Sequence, residues 1–451
     1  MVKILILMVV CFKKLIIIDN ILPVYSFINF NQKILLKDFN FILCISLISF
    51  FLSANIAWLN PYPDTVVYKV IENIPLFWQY NRDVPVEILS STGFLEYFDR
   101  DPTRIERPGL PLLAYLIGNL LYFLLNKLIN LPIIYFTAGA YILVNFILHL
   151  FSSICLYKIL KIYFSENTSK IGVIIFFLNF ITIRHFAEIH TNSMHVISPI
   201  LLTFFLLNFL NKEKFIYLFI FSLVAGFLIL IKSIYSFYLA ILIFLLFKRK
   251  YLDTILSIIL HFIPIVVWLI ILNFKEIEFY SAIIAGNVEG QTTEMVTWFV
   301  NDLVNLNIIN IISQFLISIK SYIEIFFLYY NFLIFFICFG IYEFLKKSSK
   351  YKKDFLIFII IVFFVSFVQF YLTRKNLSSI YMGGDYFLIC IFFILFYLKN
   401  IEPKKILITT FLLFIFLINT IKLPYISPFK QQKVEWEKKF KPNSKSLNYF
   451  K

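Results

Sequence analysis

Apolar runs of about twenty residues recur from Phe39 to near residue 421 of this 451-residue chain, and they limit what it can fold into. A bilayer core is about 30 Å thick and an α-helix rises about 1.5 Å per residue, so roughly 20 apolar residues cross it once. Inside hydrocarbon every backbone N–H and C=O must be satisfied within the protein, which leaves helices and closed barrels. The runs are continuous and lack the alternation, over segments of about ten residues, that barrel strands carry. The sequence therefore reads as an all-α, polytopic transmembrane helical bundle of about 10–11 spans. Composition agrees, because 61% of residues are hydrophobic and only 15% charged, against about 25% charged in a soluble domain.

A formal charge of +15, from 41 Lys plus Arg against 26 Asp plus Glu, raises the question of a nucleic-acid partner. The lysines cluster instead in short loops between apolar runs, as expected for loops retained on the cytoplasmic side. No nucleic-acid partner is expected, and membrane lipids are. The five cysteines lie in apolar runs without a CxxC pair, so neither a disulfide framework nor a zinc knuckle is indicated.

Residues 1–38 form an N-terminal cytoplasmic or interfacial segment whose apolar stretch, KILILMVVCF, is short for a span. Phe39–Trp58 reads as the first span, and residues 59–109 as an outside loop carrying juxtamembrane helices. The next apolar segment, 107–132, poses a parity problem. If it crossed, the run from Ile133 to Leu156 would end outside and carry Lys158, Lys161 and Lys170 to the wrong face. It is therefore read as a helix lying on or dipping into the outer leaflet. Basic loops at 158–170, 212–214, 248–250, 346–353 and 399–405 then all fall inside. The transmembrane unit extends over 39–421, with a last span near 406–421. The tail 422–451 falls outside although it carries eight lysines against two glutamates.

Three landmarks recur in an order known from one superfamily. Asp64-Thr-Val-Val-Tyr68 follows the first span. Arg107-Pro108-Gly109-Leu110-Pro111 opens the apolar segment after the loop. Gly226-Phe-Leu-Ile-Leu-Ile-Lys232 ends at a membrane turn. Together they resemble the GT-C-type integral membrane glycosyltransferases, and within them the protein mannosyltransferases and lipid A aminoarabinose transferases. Those enzymes usually carry Asp-Glu at the first landmark; Thr65 holds the place of the Glu here.

The resemblance implies a transfer, inverting in stereochemistry, of a hexose or pentose from a polyprenyl-phosphate-sugar donor. The acceptor would be a lipid, glycan or protein at the outer face of the membrane, here a bacterial inner (plasma) membrane serving the cell envelope. It implies catalytic roles for Asp64 and Glu188, substrate contacts for Tyr68, Arg107, Lys232 and Arg374, and a divalent cation, Mg or Mn, on Asp64 and Glu188. No other cofactor is implied.

The residues themselves leave alternatives open. Glycosyl transfer from a lipid phosphate needs a base for the acceptor hydroxyl and positive charge for the departing phosphate. Asp64 suits the first task by its position at the membrane surface; it equally suits a helix cap before Thr65. Lys232 interrupts the apolar stretch Phe215–Phe247. A lysine at mid-bilayer costs about 3 kcal/mol, so it marks an outer turn, either as a phosphate ligand or as a snorkelling residue. The hinge 184–195 holds three of the five histidines, with His185, Glu188 and His190 in an HxxExH pattern that is neither zincin motif. The carboxylates Asp83, Glu87, Glu96, Asp99, Asp101 and Glu106 of the first loop alternate with arginines and read as solvated or mutually paired. Two other classes remain. A flippase of lipid-linked glycans would bury charged groups in several spans, and a glycan polymerase or ligase would carry a larger late outside loop than that around Arg374.

Overall fold

The computed structural model describes residues 36–55, 84–100, 105, 107–178, 182–183, 186–187, 189, 191–231, 235–277, 294–330, 333–346, 350–372 and 379–399. Among these residues every regular element is helical, so the chain is an all-α polytopic bundle. In chain order the helices are α1 (Leu36–Asn55), α2 (Val84–Thr92), α3 (Phe94–Arg100), α4 (Gly109–Ile129), α5 (Ile133–Tyr163) and α6 (Glu166–Phe177). A 3-10 turn at Thr191–Ser193 leads into α7 (Met194–Lys212), followed by α8 (Phe215–Ile231), α9 (Tyr235–Phe247) and α10 (Tyr251–Phe274). Then come α11 (Glu294–Val304), α12 (Ile308–Tyr330), α13 (Leu333–Lys346), α14 (Lys350–Leu372) and α15 (Ser379–Leu398). By length and composition five of the described helices can cross a membrane: Gly109–Leu128, Ile133–Tyr163, Met194–Lys212, Tyr251–Phe274 and Asp354–Leu372. The N-terminal stretch 1–35, the proposed last span 406–421 and the tail 422–451 lie outside the described residues.

The described residues of the basic loops, and the helix ends beside the rest, gather at one end of the bundle. Lys170, after α5, pairs with Asp38 in the first turn of α1 at 2.7 Å, and Tyr157 donates to the same carboxylate at 2.8 Å. Lys250 pairs with Glu213 at 2.9 Å, joining the α9–α10 and α7–α8 loops, while Lys248 pairs with Asp354 at the start of α14. Lys158 lies within electrostatic range of Lys212. Phe355 packs on Phe392 near the end of α15, at 5.0 Å between ring centroids, and Phe396 packs on Phe164 at 5.4 Å. The more exposed of these pairs add about 0–1 kcal/mol each, whereas Asp38 is buried; their value here is as markers of which loops share a face.

Helix α5 connects that basic end to the opposite one. Its 31 residues correspond to about 46 Å, some 16 Å more than a bilayer core. Contacts along it give the order. Tyr157 meets Asp38, Ser153 meets Ser46 at 3.1 Å, and Asn145 lies 3.5 Å from Ser193 at the start of α7. Tyr141 then donates to Glu87 at 3.0 Å, and Thr137 bonds Thr92 at 2.8 Å. The last two partners belong to α2, beyond the level where α1 stops.

This ladder bears on the direction of α4. It starts against Ile231, at the end of α8 away from the basic loops, and hands over through Asn130–Pro132 to α5, which runs back to the basic end. A crossing α4 would have left α5 ending on the opposite side. α4 is therefore long and apolar enough to span yet pairs with the overhanging start of α5. The turn between them is made by Asn130 in the left-handed region (φ 47°), whose N–H caps Asn126 O, and by Pro132, which cannot continue α4 and precedes α5.

Helices within hydrocarbon gain little from apolar burial against one another, and close backbone approach supplies the packing instead. Gly226 of α8 shows this. A Cβ there would collide with the backbone carbonyl of His261 in α10 and stand 3.0 Å from Pro264 Cδ.

Candidate active site

A second apolar core sits at the end opposite the basic loops. Phe94, Tyr97 and Phe98 of α3, Ile105, Leu230 of α8, and Trp268, Leu272 and Ile277 at the end of α10 form it. Trp268 is its centre, with ring centroids 5.6 Å from Phe94 and 5.8 Å from Phe98. Its indole N–H donates to Ile105 O at 2.8 Å. The described part of the first loop, α3 and Ile105, is thus folded down onto α10. Trp268→Phe is expected to keep most of the packing but to orphan the Ile105 carbonyl, costing about 1–3 kcal/mol, which a lowered thermal midpoint in detergent would register.

Helix α2 is fixed from the other side. Glu87 is only 2% exposed, and its carboxylate accepts from Tyr141 of α5. The expectation that the loop carboxylates are solvated or mutually paired fails for this residue. A helical reading of VPVEILSST could have found its burial, because Glu87 shares a face with Ser90 and Ser91 at spacings of three and four. All three are buried.

These two anchors bring distant stretches together. Gly109 opens α4 so close to α8 that a Cβ would stand 2.6 Å from Ile231 Cγ1 and 3.0 Å from Ile231 N. Ile231 directly precedes Lys232 and Gly109 follows Arg107 by two, so landmarks more than a hundred residues apart in sequence are neighbours along the fold. Arg107 itself is half-buried.

The hinge is tied to the same end. Ala187 N–H donates to Ser53 Oγ in the last turn of α1 at 2.8 Å. One level lower, Ser49 donates to Phe177 O at 2.6 Å. The residues flanking Glu188 are therefore held to the helix whose end leads into the Asp64 loop. A further tie joins the later loops, since Trp298 of α11 donates to Leu372 O at 2.9 Å, two residues before Arg374.

Of the residues expected to act, Arg107 is described. Asp64, Tyr68, Glu188, Lys232 and Arg374 lie outside the described residues, although the neighbours of Glu188, Lys232 and Arg374 are placed as above. Among the described residues no group of three His, Cys, Asp or Glu side chains could hold a metal ion. Within the apolar stretch 215–247 the described helices are α8, ending at Ile231, and α9, beginning at Tyr235; Lys232 falls in the undescribed gap between them.

With this geometry in place, comparison with known families adds one finding. Residues 112–273 match the profile of the family described as dolichyl-phosphate-mannose-protein mannosyltransferase. The match begins in the first turn of α4 and ends in the last turn of α10; it includes Glu188 and Lys232 and stops short of Asp64 and Arg107. It bears out the resemblance to the GT-C superfamily of integral membrane glycosyltransferases. No curated protein matches the chain.

Proposed function

We propose that this GT-C-type membrane glycosyltransferase moves a hexose or pentose from a polyprenyl-phosphate carrier to a lipid, glycan or protein acceptor at the outer face of a bacterial inner membrane. The observation that carries the reading is the seating of Gly109 against Ile231, within a stretch that matches the mannosyltransferase profile. It makes neighbours of Gly109 and Ile231, the chain positions beside Arg107 and Lys232, and so supports the reading in which both cations serve one phosphate. The sidedness follows from the basic loops. They share one end of the bundle, which the positive-inside rule assigns to the cytoplasm, so the Arg107 end faces outward.

In the proposed step Asp64 takes the proton of the acceptor hydroxyl, and the oxygen attacks the anomeric carbon as the sugar–phosphate bond breaks. The polyprenyl phosphate leaves with the electron pair. A single displacement of this kind inverts the anomeric centre. Lys232, Arg107 and Arg374 offset the charge on the departing phosphate. Tyr68 and Glu188 contact the sugar and acceptor. The divalent cation that the resemblance implies would be held by Asp64 and Glu188 and would add charge stabilisation at the phosphate. Transfer is accordingly expected to fall on treatment with EDTA and to return with Mg or Mn; full activity after chelation would remove the cation from the account.

The proposal is tested in proteoliposomes given a panel of polyprenyl-monophosphate sugars, following release of polyprenyl phosphate. Lys232→Ala is expected to raise the donor concentration needed for half-maximal rate by about tenfold, the loss of roughly 1.4 kcal/mol of phosphate binding, with a smaller effect on the maximal rate. An unchanged donor requirement would reduce Lys232 to a turn marker.

A further inference from the structure

Helix α12 has 23 residues, enough to cross a bilayer core, yet its contacts carry it across α14 and not along it. Helix α14 rises from the basic end, where Asp354 meets Lys248, and its last residue, Leu372, lies about 30 Å away at the outer surface. Near that end Tyr371 O–H donates to Ile311 O at 3.0 Å. Phe315 packs on Phe367 and Tyr371, with ring centroids 5.5 and 5.6 Å apart, and Tyr322 packs on Phe367 and Phe370 at 5.3 and 5.4 Å. From Ile311 to Tyr322 is about 16 Å of α12, whereas 367 to 371 is about 6 Å of α14. A helix running down α14 would bring Tyr322 near residue 360. Ile360 and Phe364 share the face of Phe367 and Tyr371, at spacings of four, three and four, and both are exposed. Helix α12 thus covers the outer end of that face and leaves the rest open.

Helix α11 is held at the same level, since Trp298 bonds Leu372 O and its ring meets Tyr371 at 5.5 Å. Asp302 closes the turn into α12, accepting from Asn307 at 3.2 Å and from Asn310 at 2.6 Å. The tip of this hairpin is apolar. Leu303, Val304, Leu306 and Ile309 are all exposed there, Ile309 by 83%. The sides of α12 differ in character. Ile308, Ile312, Leu316 and Ile323 form an exposed apolar strip at spacings of four, four and seven. About a quarter turn further round lie Ser313, Lys320 and Glu324. Lys320 and Glu324 pair at 3.8 Å, with side chains 78% and 63% exposed.

Were α12 a span, Lys320 would stand about 18 Å from its start, at mid-core depth and open to lipid, a placement that membrane proteins avoid for charged groups. A helix lying in the interface meets both demands. Its apolar strip sinks about 5–10 Å into the boundary between headgroups and acyl chains, and its charges stay among the headgroups. We infer that the α11–α12 hairpin is an interfacial anchor that binds outer-leaflet lipid. The hairpin tip and the strip from Ile308 to Ile323 enter the acyl boundary, while Lys320 and Glu324 remain at headgroup level. Through Trp298 and Ile311 the anchor fixes the outer end of α14 at the membrane surface. The inference takes its sidedness from the basic loops and is independent of glycosyl transfer.

The full-length protein in lipid nanodiscs tests this without substitution. A lipid-partitioning carbene reagent reports contact with hydrocarbon, and a charged acetylating reagent, which does not enter hydrocarbon, reports lysines at the surface; mass spectrometry reads both residue by residue. Leu306 and Ile309 are expected to take up carbene within about threefold of Ile259 and Ile270 on the exposed side of α10. Lys320 is expected to be acetylated within about threefold of the exposed Lys346. Acetylation of Lys320 about tenfold or more slower than that of Lys346 would place α12 across the core and overturn the inference. Carbene uptake by Leu306 and Ile309 no higher than that of the buried Ile241 would also overturn it, since the hairpin would then be covered by protein or held in water.

Discussion

Asp64→Asn is expected to leave the protein folded and to lower sugar transfer by at least about a thousandfold, the upper part of the range that a positioned general base supplies. The substitution keeps shape and removes only the ability to take a proton. An acceptor hydroxyl that must lose its proton unaided is a poor nucleophile, so the donor would bind and wait. The comparison that matters is between turnover and abundance in the same membranes. Normal amounts of monodisperse protein with no release of polyprenyl phosphate support Asp64 as the base. Retained turnover would leave it the helix-capping role that its place before Thr65 also permits.

Gly226→Leu is expected to prevent accumulation of folded protein, and Gly226→Ala to reduce it several-fold. The obstacle is backbone, not a movable side chain. A Cβ at this position runs into the carbonyl of His261 and comes within 3.0 Å of Pro264 Cδ, so α8 and α10 would have to separate. Overpacking of this kind typically costs about 1–3 kcal/mol for the smallest additions. The same two helices contribute Leu230 and Trp268 to the core under the first loop, so separation would also release the cap that sets Gly109 against Ile231. The yield of the monodisperse peak in detergent measures the effect. A normal yield for Gly226→Leu would mean that α8 and α10 are not packed as described.

The two predictions draw on opposite parts of the chain, and they show what can be read from residues alone. Helical class, the break at Lys232 and the grouping of the basic loops were legible because each rests on a local rule: run length, the cost of a charge in hydrocarbon, and loop charge. That α4 starts and ends away from the basic loops was expected only from parity, and the contacts along α5 agree with that direction. What local rules could not reach were pairings across the bundle. Glu87 looked like one loop carboxylate among several, because nothing in its own segment names Tyr141, 54 positions later, as its partner. The proximity of Arg107-Pro108-Gly109 to Ile231 belongs to the same kind, since only the folded chain states it.

The site itself was legible as residue types and not as geometry. Among the six residues expected to act, Arg107 is the one within the described stretches, and the positions beside Glu188, Lys232 and Arg374 are placed through Ala187, Ile231 and Leu372. Each of these three flanking residues lies at the end of the bundle away from the basic loops. That common placement is the reason for treating the dispersed landmarks as parts of one site.

The most direct test of glycosyl transfer from a lipid carrier is a mass-spectrometric comparison of membrane lipids and surface glycans from cells with and without the protein. Loss of the protein is predicted to leave one polyprenyl-phosphate sugar accumulated and one glycosylated lipid, glycan or protein missing that same sugar. Complementation with Asp64→Asn should fail to reverse either change. Identical lipid and glycan profiles in the two strains would contradict the account.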